Sequence, residues 1–371
     1  MIQSFGFFVA IAFLLAAYVW ALELKRKEQL GLLGFTSKKI LKGQAATTAE
    51  LITSAVIGFF IGYKLLFIAL NFSAFTENTQ AFILSTEGNI IGGLLGAALS
   101  AYMKYRDKEK EKLEKPVWVE EKMQASQHVG NMTLISAAAG LIGAKIFHNL
   151  ENWDDFVADP IGSLLSFSGL TMYGGLICGG ASVIYYAYKN KITITHLIDT
   201  SAPAIMLGYA VGRIGCHISG DGDWGIANTA PKPNWLSWAP DWVWSYDYAH
   251  NVNSEGVPMA NCIGERYCNH LDPAVFPTPF YETLMCLALF GILWYLRKRI
   301  TTPGMLFSIY LVFNGLERFF IEKIRVNTLY HIGDFGFTQA ELISSILFIL
   351  GVIGIFYFKK REQNQKEKLS V

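Results

Sequence analysis

The sequence predicts an all-α, polytopic integral membrane protein with about nine transmembrane helices, and three observations carry that expectation. Of 371 residues, 52% are hydrophobic and only 16% charged, whereas soluble domains carry about 25% charged residues. Apolar runs of roughly 17–25 residues recur along the chain, the length a helix needs to cross a bilayer. Basic clusters fall in alternate loops, as the positive-inside rule requires. The net charge of +1 gives no general case for a nucleic-acid partner. Five scattered cysteines form no CxxC pattern, so neither a metal nor an organic cofactor is implied.

The first run, Phe5 to Leu22, is followed by Lys25-Arg26-Lys27. A signal peptide places its charge before the apolar core, so this order predicts a retained transmembrane helix. Further spans are expected near 50–70, 87–103, 131–149, 163–187, 195–213, 279–296, 304–321 and 338–358. Lys38-Lys39-Lys42, the run Lys104 to Lys122, Lys189-Lys191, Arg297-Lys298-Arg299 and Lys359-Lys360-Arg361 then share one side. That side is cytoplasmic, with the N-terminus outside, the C-terminus inside, and the chain multi-pass.

Two loops stand apart. Tyr105 to Glu121 alternates Lys with Glu and reads as a solvated cytoplasmic helix or linker. The segment 216–276 reads as a small extracytoplasmic cap, with Trp224, Trp235, Trp238, Trp242 and Trp244 suited to the headgroup level. Cys262 and Cys268 could pair there in an oxidising compartment, with Cys216 a third candidate. An internal repeat is also visible: Ile52 to Lys64 resembles Leu134 to Lys145, and Gly92-Gly93-Leu94 answers Gly174-Gly175-Leu176. The organisation expected is a first helix and connection (1–45), an inserted and duplicate-like hairpin with charged linker (46–129), a membrane core including the cap (130–361), and a cytoplasmic tail (362–371).

Candidate functional residues gather at the outer ends of several spans. Arg213 stands in Gly212-Arg213-Ile214-Gly215, ahead of Cys216, His217, Asp221, Asp223 and Gly225. Snorkelling anchors are common, but glycine neighbours let other groups approach the backbone closely, which points to an anion at Arg213. Arg318, Glu322 and Arg325 recur at i, i+4 and i+7 and share a helix face. Arginine forks match phosphate oxygens and keep their charge. Ser168 to Gly179 places Tyr173 before Gly174 and Gly175, where a close helix or lipid approach is possible. Glu282 suits the first turn of its helix and needs a cationic partner, Arg213 or Arg318. Together these residues predict a lateral cavity for a phospholipid headgroup, with membrane lipid as partner.

Several blocks, in order, resemble the prolipoprotein diacylglyceryl transferase family. They are Gly143 to Trp153, Gly169 to Gly179, Asp199 with Gly212 to Gly225 (similar to GRIGNFINGELWG), Pro277 to Glu282, Gly315 to Arg325 (similar to YGxxRFxxExxR) and Thr338 to Ser344. The resemblance implies transfer of the diacylglyceryl group of phosphatidylglycerol to the lipobox cysteine of a prolipoprotein signal peptide, releasing glycerol phosphate. It implies that Arg213 and Arg318 hold the phosphate, that Glu322 and Arg325 brace the second arginine, and that Gly212, Gly215 and Gly225 shape the pocket.

The chain departs from the family pattern at named positions. Tyr173 stands for a histidine, Cys216 for an asparagine, Asn314 and Phe5 for tyrosines, Glu341 for a glutamine, and Asp221 for a glutamate beside a one-residue insertion. Tyrosine, with a pKa of about 10, is a poor base near neutral pH. Three readings follow: catalysis by the arginines alone, a base supplied by His217 or Asp221, or a paralogue that binds lipid or transfers to another acceptor. A secondary transporter is the remote alternative, since repeats and intramembrane charges occur there too. The charges here sit at the rim rather than the midplane, which favours the transferase.

Overall fold

A computed structural model gives the architecture and describes residues 4–77, 82, 85–166, 169–260, 262, 267–332 and 335–369. Ser168, and 263–266 in the expected cap, lie outside the described residues. In chain order the main elements are α1 (Ser4–Gln29), β1 (Phe35–Lys42), α2 (Thr48–Leu70), α3 (Ile90–Lys110), β2 (Val117–Gln124), α4 (Val129–Glu151), α5 (Met172–Lys189), α6 (Ile194–Ser219), α7 (Thr278–Leu296), α8 (Met305–Glu322), β3 (Leu329–Ile332), β4 (Phe335–Thr338) and α9 (Gln339–Leu369). Five helical segments among the described residues are long and apolar enough to cross a membrane: Phe5–Gln29, Thr48–Leu70, Ala125–Glu151, Thr278–Leu296 and Gln339–Glu367.

The helices fall where the apolar runs predict them, with differences at their ends. α6 continues to Ser219, so the cap begins at Gly220 rather than at Cys216. α5 starts only at Met172, and Pro160–Leu165 forms a short separate helix. The charged linker is not wholly helical: α3 runs to Lys110, then β2 pairs with β1. Two further two-stranded ladders, β3–β4 and Val257–Pro258 with Asn269–His270, qualify the all-α expectation.

The chain divides into two compact units. One comprises 35–123 with 165–169, and the other 4–34, 124–164 and 170–371. The smaller unit is built on the α2/α3 hairpin. Thr47 and Glu50 form a reciprocal capping box that starts α2. The two helices meet on glycine: a Cβ at Gly62 would lie 2.2 Å from the Gly92 carbonyl oxygen, and one at Gly58 2.4 Å from that of Gly96. Small residues are what permit such approach between helices in lipid. The ammonium of Lys64 is satisfied by the turn, donating to the carbonyls of Phe82 (3.1 Å), Ser85 (2.5 Å) and Glu87 (2.7 Å).

The larger unit holds a second hairpin, α4/α5, and a bundle in which α6 is the central helix. α1 packs on α6 through Gly208, whose missing Cβ faces Ala16, and Gly215, which faces Phe5 and Phe8. α7 and α8 pack on α6 around Ala202, Met206, Ala210, Cys286, Leu293 and Leu306. Near the start of α6, Asp199 pairs with Lys27 (3.4 Å) and accepts from the backbone N–H of Gly304 (2.8 Å) and Phe307 (3.0 Å). Arg213 lies 14 residues further on, about 20 Å along the helix axis. Charged groups therefore mark both ends of this bundle.

Candidate active site

The ionic cluster is assembled from the last turns of α6 and α8, the first turns of α7 and the strand-like segment that follows α6. On α6, Tyr209, Arg213 and Cys216 recur at i, i+4 and i+7 and line one face. The Arg213 guanidinium lies over the Tyr209 ring, 5.2 Å from its centroid. α7 opens with Pro at an early position that needs no backbone donor, and this delivers Glu282 one turn into the helix. Glu282 is fully buried and is the hub. Its carboxylate accepts from the Tyr209 hydroxyl (3.0 Å) and pairs with Arg213 Nε (3.0 Å), Arg318 Nη1 (3.1 Å) and Arg325 Nη1 (3.5 Å).

Two more carboxylates complete the cluster. Glu322, one turn beyond Arg318, pairs with Arg318 Nη2 (3.1 Å) and accepts from the Asn327 amide (2.5 Å). Asp223 bridges Arg213 and Arg325. Its position depends on Gly225. There the cap chain runs against Arg325, and the Gly225 N–H donates to Phe276 O at 2.9 Å. A Cβ at Gly225 would lie 2.6 Å from the Ile324 carbonyl oxygen, so a side chain would push this segment, and Asp223 with it, away from Arg325. α8 itself ends at Glu322, and Arg325 follows a turn at Lys323 and Ile324 and pairs with Gly225, so the expected single helical face is shared between a helix and its exit.

Burial opposes ionisation of Asp223, but Arg213 and Arg325 outweigh it and hold the carboxyl below the usual range. Asp221 goes the other way: burial, and then the neighbouring Asp223 charge, push it up. The Cys216 sulfur and the carboxylates of Asp221 and Asp223 offer atoms within 4.8 Å of one another.

The structure brings together Arg213, Arg318, Arg325, Glu282 and Glu322 as ion pairs. Tyr173, at the first turn of α5, interacts with Arg318 and lies within electrostatic reach of Glu322 and Arg325. Asp221, the candidate base, borders the cluster through Cys216 and Asp223, and the ion pairs of that segment with Arg213 and Arg325 are made by Asp223. His217 is turned elsewhere: Trp242, Tyr246, Tyr248 and Phe280 surround its ring, and Nδ1 meets the Tyr248 hydroxyl at 3.1 Å. Gly174 and Gly175 pack on α4 rather than on the arginines. Gly215 packs on α1, and Gly212 faces open space. Cys262 and Cys268 form the disulfide, leaving Cys216 a buried free thiol.

Two residues of the cluster, Tyr209 and Asp223, and one buried neighbour outside its ion pairs, Glu317, are not singled out by the sequence. Tyr209 was detectable as the i−4 neighbour of Arg213. Asp223 was ambiguous with Asp221 in Gly220-Asp221-Gly222-Asp223. Glu317, buried with neither oxygen hydrogen-bonded among the described residues, sits beside Arg318 with no pattern to flag it.

The family model for prolipoprotein diacylglyceryl transferase matches residues 112–357, more than half of the chain. The chain belongs to this family. Relatives named phosphatidylglycerol–prolipoprotein diacylglyceryl transferase include one from Dehalococcoides mccartyi, 26% identical over 258 residues covering 68% of this chain and 86% of the relative. One from Leptospira interrogans is 24% identical over 313 residues, covering 72% and 87%. One from Corynebacterium glutamicum is 27% identical over 262 residues, covering 68% and 77%. The diacylglyceryl transferase match contains every member of the ionic cluster and begins beyond α3, so the α2/α3 hairpin lies outside it. One departure from the family pattern has a local explanation. Glu341 caps α9, accepting from Thr338 N (3.0 Å) while Thr338 Oγ1 accepts from Glu341 N (3.1 Å), and its other oxygen pairs with Lys323 (2.5 Å).

Proposed function

We infer that this protein transfers the diacylglyceryl group of phosphatidylglycerol to a cysteine thiol of a prolipoprotein. The observation that carries this reading is the convergence of three guanidinium groups on buried Glu282, inside the family match. In the reaction a bond forms between the acceptor sulfur and a glyceryl carbon, and the bond from that carbon to the phosphate oxygen breaks. The thiol proton goes to a base, and the electron pair leaves with glycerol phosphate. Fixed cationic donors aimed at the departing phosphate lower the barrier because that is where charge develops. Glu282 keeps the three arginine forks converged without spending all their donors.

Residue roles follow from placement. Arg213, Arg318 and Arg325 meet the phosphate, and Tyr173 donates to the headgroup from beside Arg318. Asp221 takes the thiol proton, since a carboxyl pushed up by burial is a better base than an ordinary one. His217 holds the cap through Tyr248 and its aromatic neighbours. The acceptor is the lipobox of a signal peptide, presented at the outer face.

The same reading places nine spans across a bacterial inner membrane, with the N-terminus outside, the C-terminus in the cytoplasm and the cap extracytoplasmic. The basic clusters in five loops support that orientation. The core runs from 130 to 361, and the hairpin within 46–129 is an added copy of α4/α5. Purified protein in nanodiscs containing phosphatidylglycerol should release glycerol phosphate when given a lipobox peptide. No release, while a histidine-bearing relative is active in the same assay, would remove the reading.

A further inference from the structure

The cluster contains as many carboxylates as guanidiniums engaged with them: Asp223, Glu282 and Glu322 against Arg213, Arg318 and Arg325. A phosphate arriving at this site meets no spare positive charge. It binds strongly only if one carboxylate gives way. The three are not equivalent. The side chains of Glu282 and Glu322 are 0% exposed, whereas that of Asp223 is 32% exposed. Glu282 and Glu322 are also fixed on helices α7 and α8, and Asp223 stands on a loop.

The segment before that carboxylate is rich in glycine. Gly220 and Gly222 precede Asp223, both at positive φ (58° and 96°), a region that L side chains rarely adopt. Beyond Asp223 the chain is pinned, by Thr278 Oγ1 donating to Asp223 O (2.7 Å) and by Gly225 N donating to Phe276 O (2.9 Å). A displacement of the Asp223 carboxylate would therefore be taken up on the N-terminal side, between Gly220 and Asp223. The carboxylate itself sits between two forks, on Arg213 and Arg325, in the manner of an anion bridging two guanidiniums.

We propose that Asp223 is an internal stand-in for the substrate phosphate, and that the phosphate subsite is the space between Arg213 and Arg325 that its carboxylate fills. The proposal rests on the phospholipid reading for the identity of the ligand, and on this cluster alone for the existence of an anion subsite. A phosphodiester with one negative charge replaces the carboxylate one for one. The product, a phosphate monoester, carries about −1.5 to −2 at pH 7 and is held more tightly by the same pair. Asp223 returning to its forks then competes the product away. The residue thus lowers affinity for substrate and speeds product release.

The test uses the full-length protein in nanodiscs, with direct binding of sn-glycerol 1-phosphate and, separately, inorganic phosphate, and with turnover on phosphatidylglycerol. Asp223→Asn should bind glycerol phosphate about 10-fold more tightly, a gain of about 1.4 kcal/mol. KM for phosphatidylglycerol should fall by a similar factor, and kcat should fall with it as product lingers. Equal tightening for inorganic phosphate assigns recognition to the phosphate group, and tightening for glycerol phosphate alone assigns it to the glycerol ester. Both support the subsite. Unchanged or weaker binding in folded Asp223→Asn overturns it.

Should that variant fail to fold, Asp223→Ser makes the same prediction. The wild type gives a readout without substitution: amide exchange across Gly220 to Asp223 should quicken on saturation with glycerol phosphate. Exchange unchanged or slowed would overturn the displacement. A wild type that binds glycerol phosphate in this way but releases none from phosphatidylglycerol would sink the transferase reading and leave the anion subsite standing.

Discussion

The two hairpins of this chain are packed alike almost residue for residue, yet they present different side chains beside the same glycine seam. In α2/α3, Gly62 meets the Gly92 carbonyl, Gly92 meets Leu66, and Asn89 N donates to Tyr63 O at 3.0 Å. In α4/α5, Gly143 meets the Gly174 carbonyl, Gly174 meets Phe147, and Thr171 N donates to Ala144 O at 3.1 Å. Asn89 and Thr171 are the N-cap residues of the second helix in each pair. Two positions past each cap stand Ile91, exposed and apolar, and Tyr173, which interacts with Arg318. A glycine seam thus specifies a hairpin and nothing more. Function enters through what the seam presents beside it.

The largest effect should come from breaking the hub beside which Tyr173 of α5 stands. Arg213→Ala and Glu282→Ala should each lower transfer by about 10²–10³, the cost of removing one preorganised charge-stabilising group. Glycerol phosphate release from nanodiscs is the measurement, and activity within a few-fold of wild type for either would remove that residue from the site.

The seams can be tested as a pair. A Cβ at Gly143 would lie 2.5 Å from the Gly174 carbonyl oxygen, as one at Gly62 would lie 2.2 Å from that of Gly92. Valine at either position should destabilise its own hairpin by about 1–3 kcal/mol through overpacking. Only Gly143→Val should also depress transfer, because only that seam carries Tyr173. Equal loss of activity from Gly62→Val would make the added hairpin part of the catalytic apparatus.

A smaller effect is expected at Tyr173. Its hydroxyl is worth one hydrogen bond to a charged partner, about 1.5–3 kcal/mol. Tyr173→Phe should therefore lower transfer by roughly 10- to 100-fold with the protein still folded. Ile91→Tyr should change nothing. Full activity in Tyr173→Phe would reduce the difference between the hairpins to packing.

The apolar spans and their punctuation were legible in the sequence because hydropathy and small-residue spacing are local signals. So were Arg213, Glu282, Arg318, Glu322 and Arg325, since ionisable groups at the ends of apolar runs stand out. Asp223 was not separable from Asp221, because the choice depends on how Gly225 docks against Ile324 and Phe276, contacts about fifty to a hundred residues away in sequence. His217 looked like a site residue by its neighbours in the chain, but the aromatic cap that claims it is assembled from Trp242, Tyr246, Tyr248 and Phe280. The paired glycines before Leu176 were ambiguous between helix and lipid, and their packing partner on α4 could be read only from the fold.

Two charged side chains set in apolar helices, Lys64 on α2 and Glu317 on α8, are treated differently by their surroundings, and this gives the smallest expected effect. Lys64 is answered by three carbonyl oxygens of its own turn. Glu317, beneath the hub on α8, is 5% exposed, and neither carboxylate oxygen has a hydrogen-bond partner among the described residues. An unsatisfied buried polar group costs about 1–3 kcal/mol and a buried charge more, so an uncharged group of the same shape recovers part of that cost. Glu317→Gln should therefore raise the melting temperature by about 1–2 °C, which corresponds to roughly 1 kcal/mol in a chain of this size. Lys64→Met should lower it, since it strands the three carbonyls. If Glu317→Gln instead destabilises the protein, the Glu317 carboxylate is engaged by the cluster, and the charge balance among the arginines must be redrawn with four carboxylates instead of three.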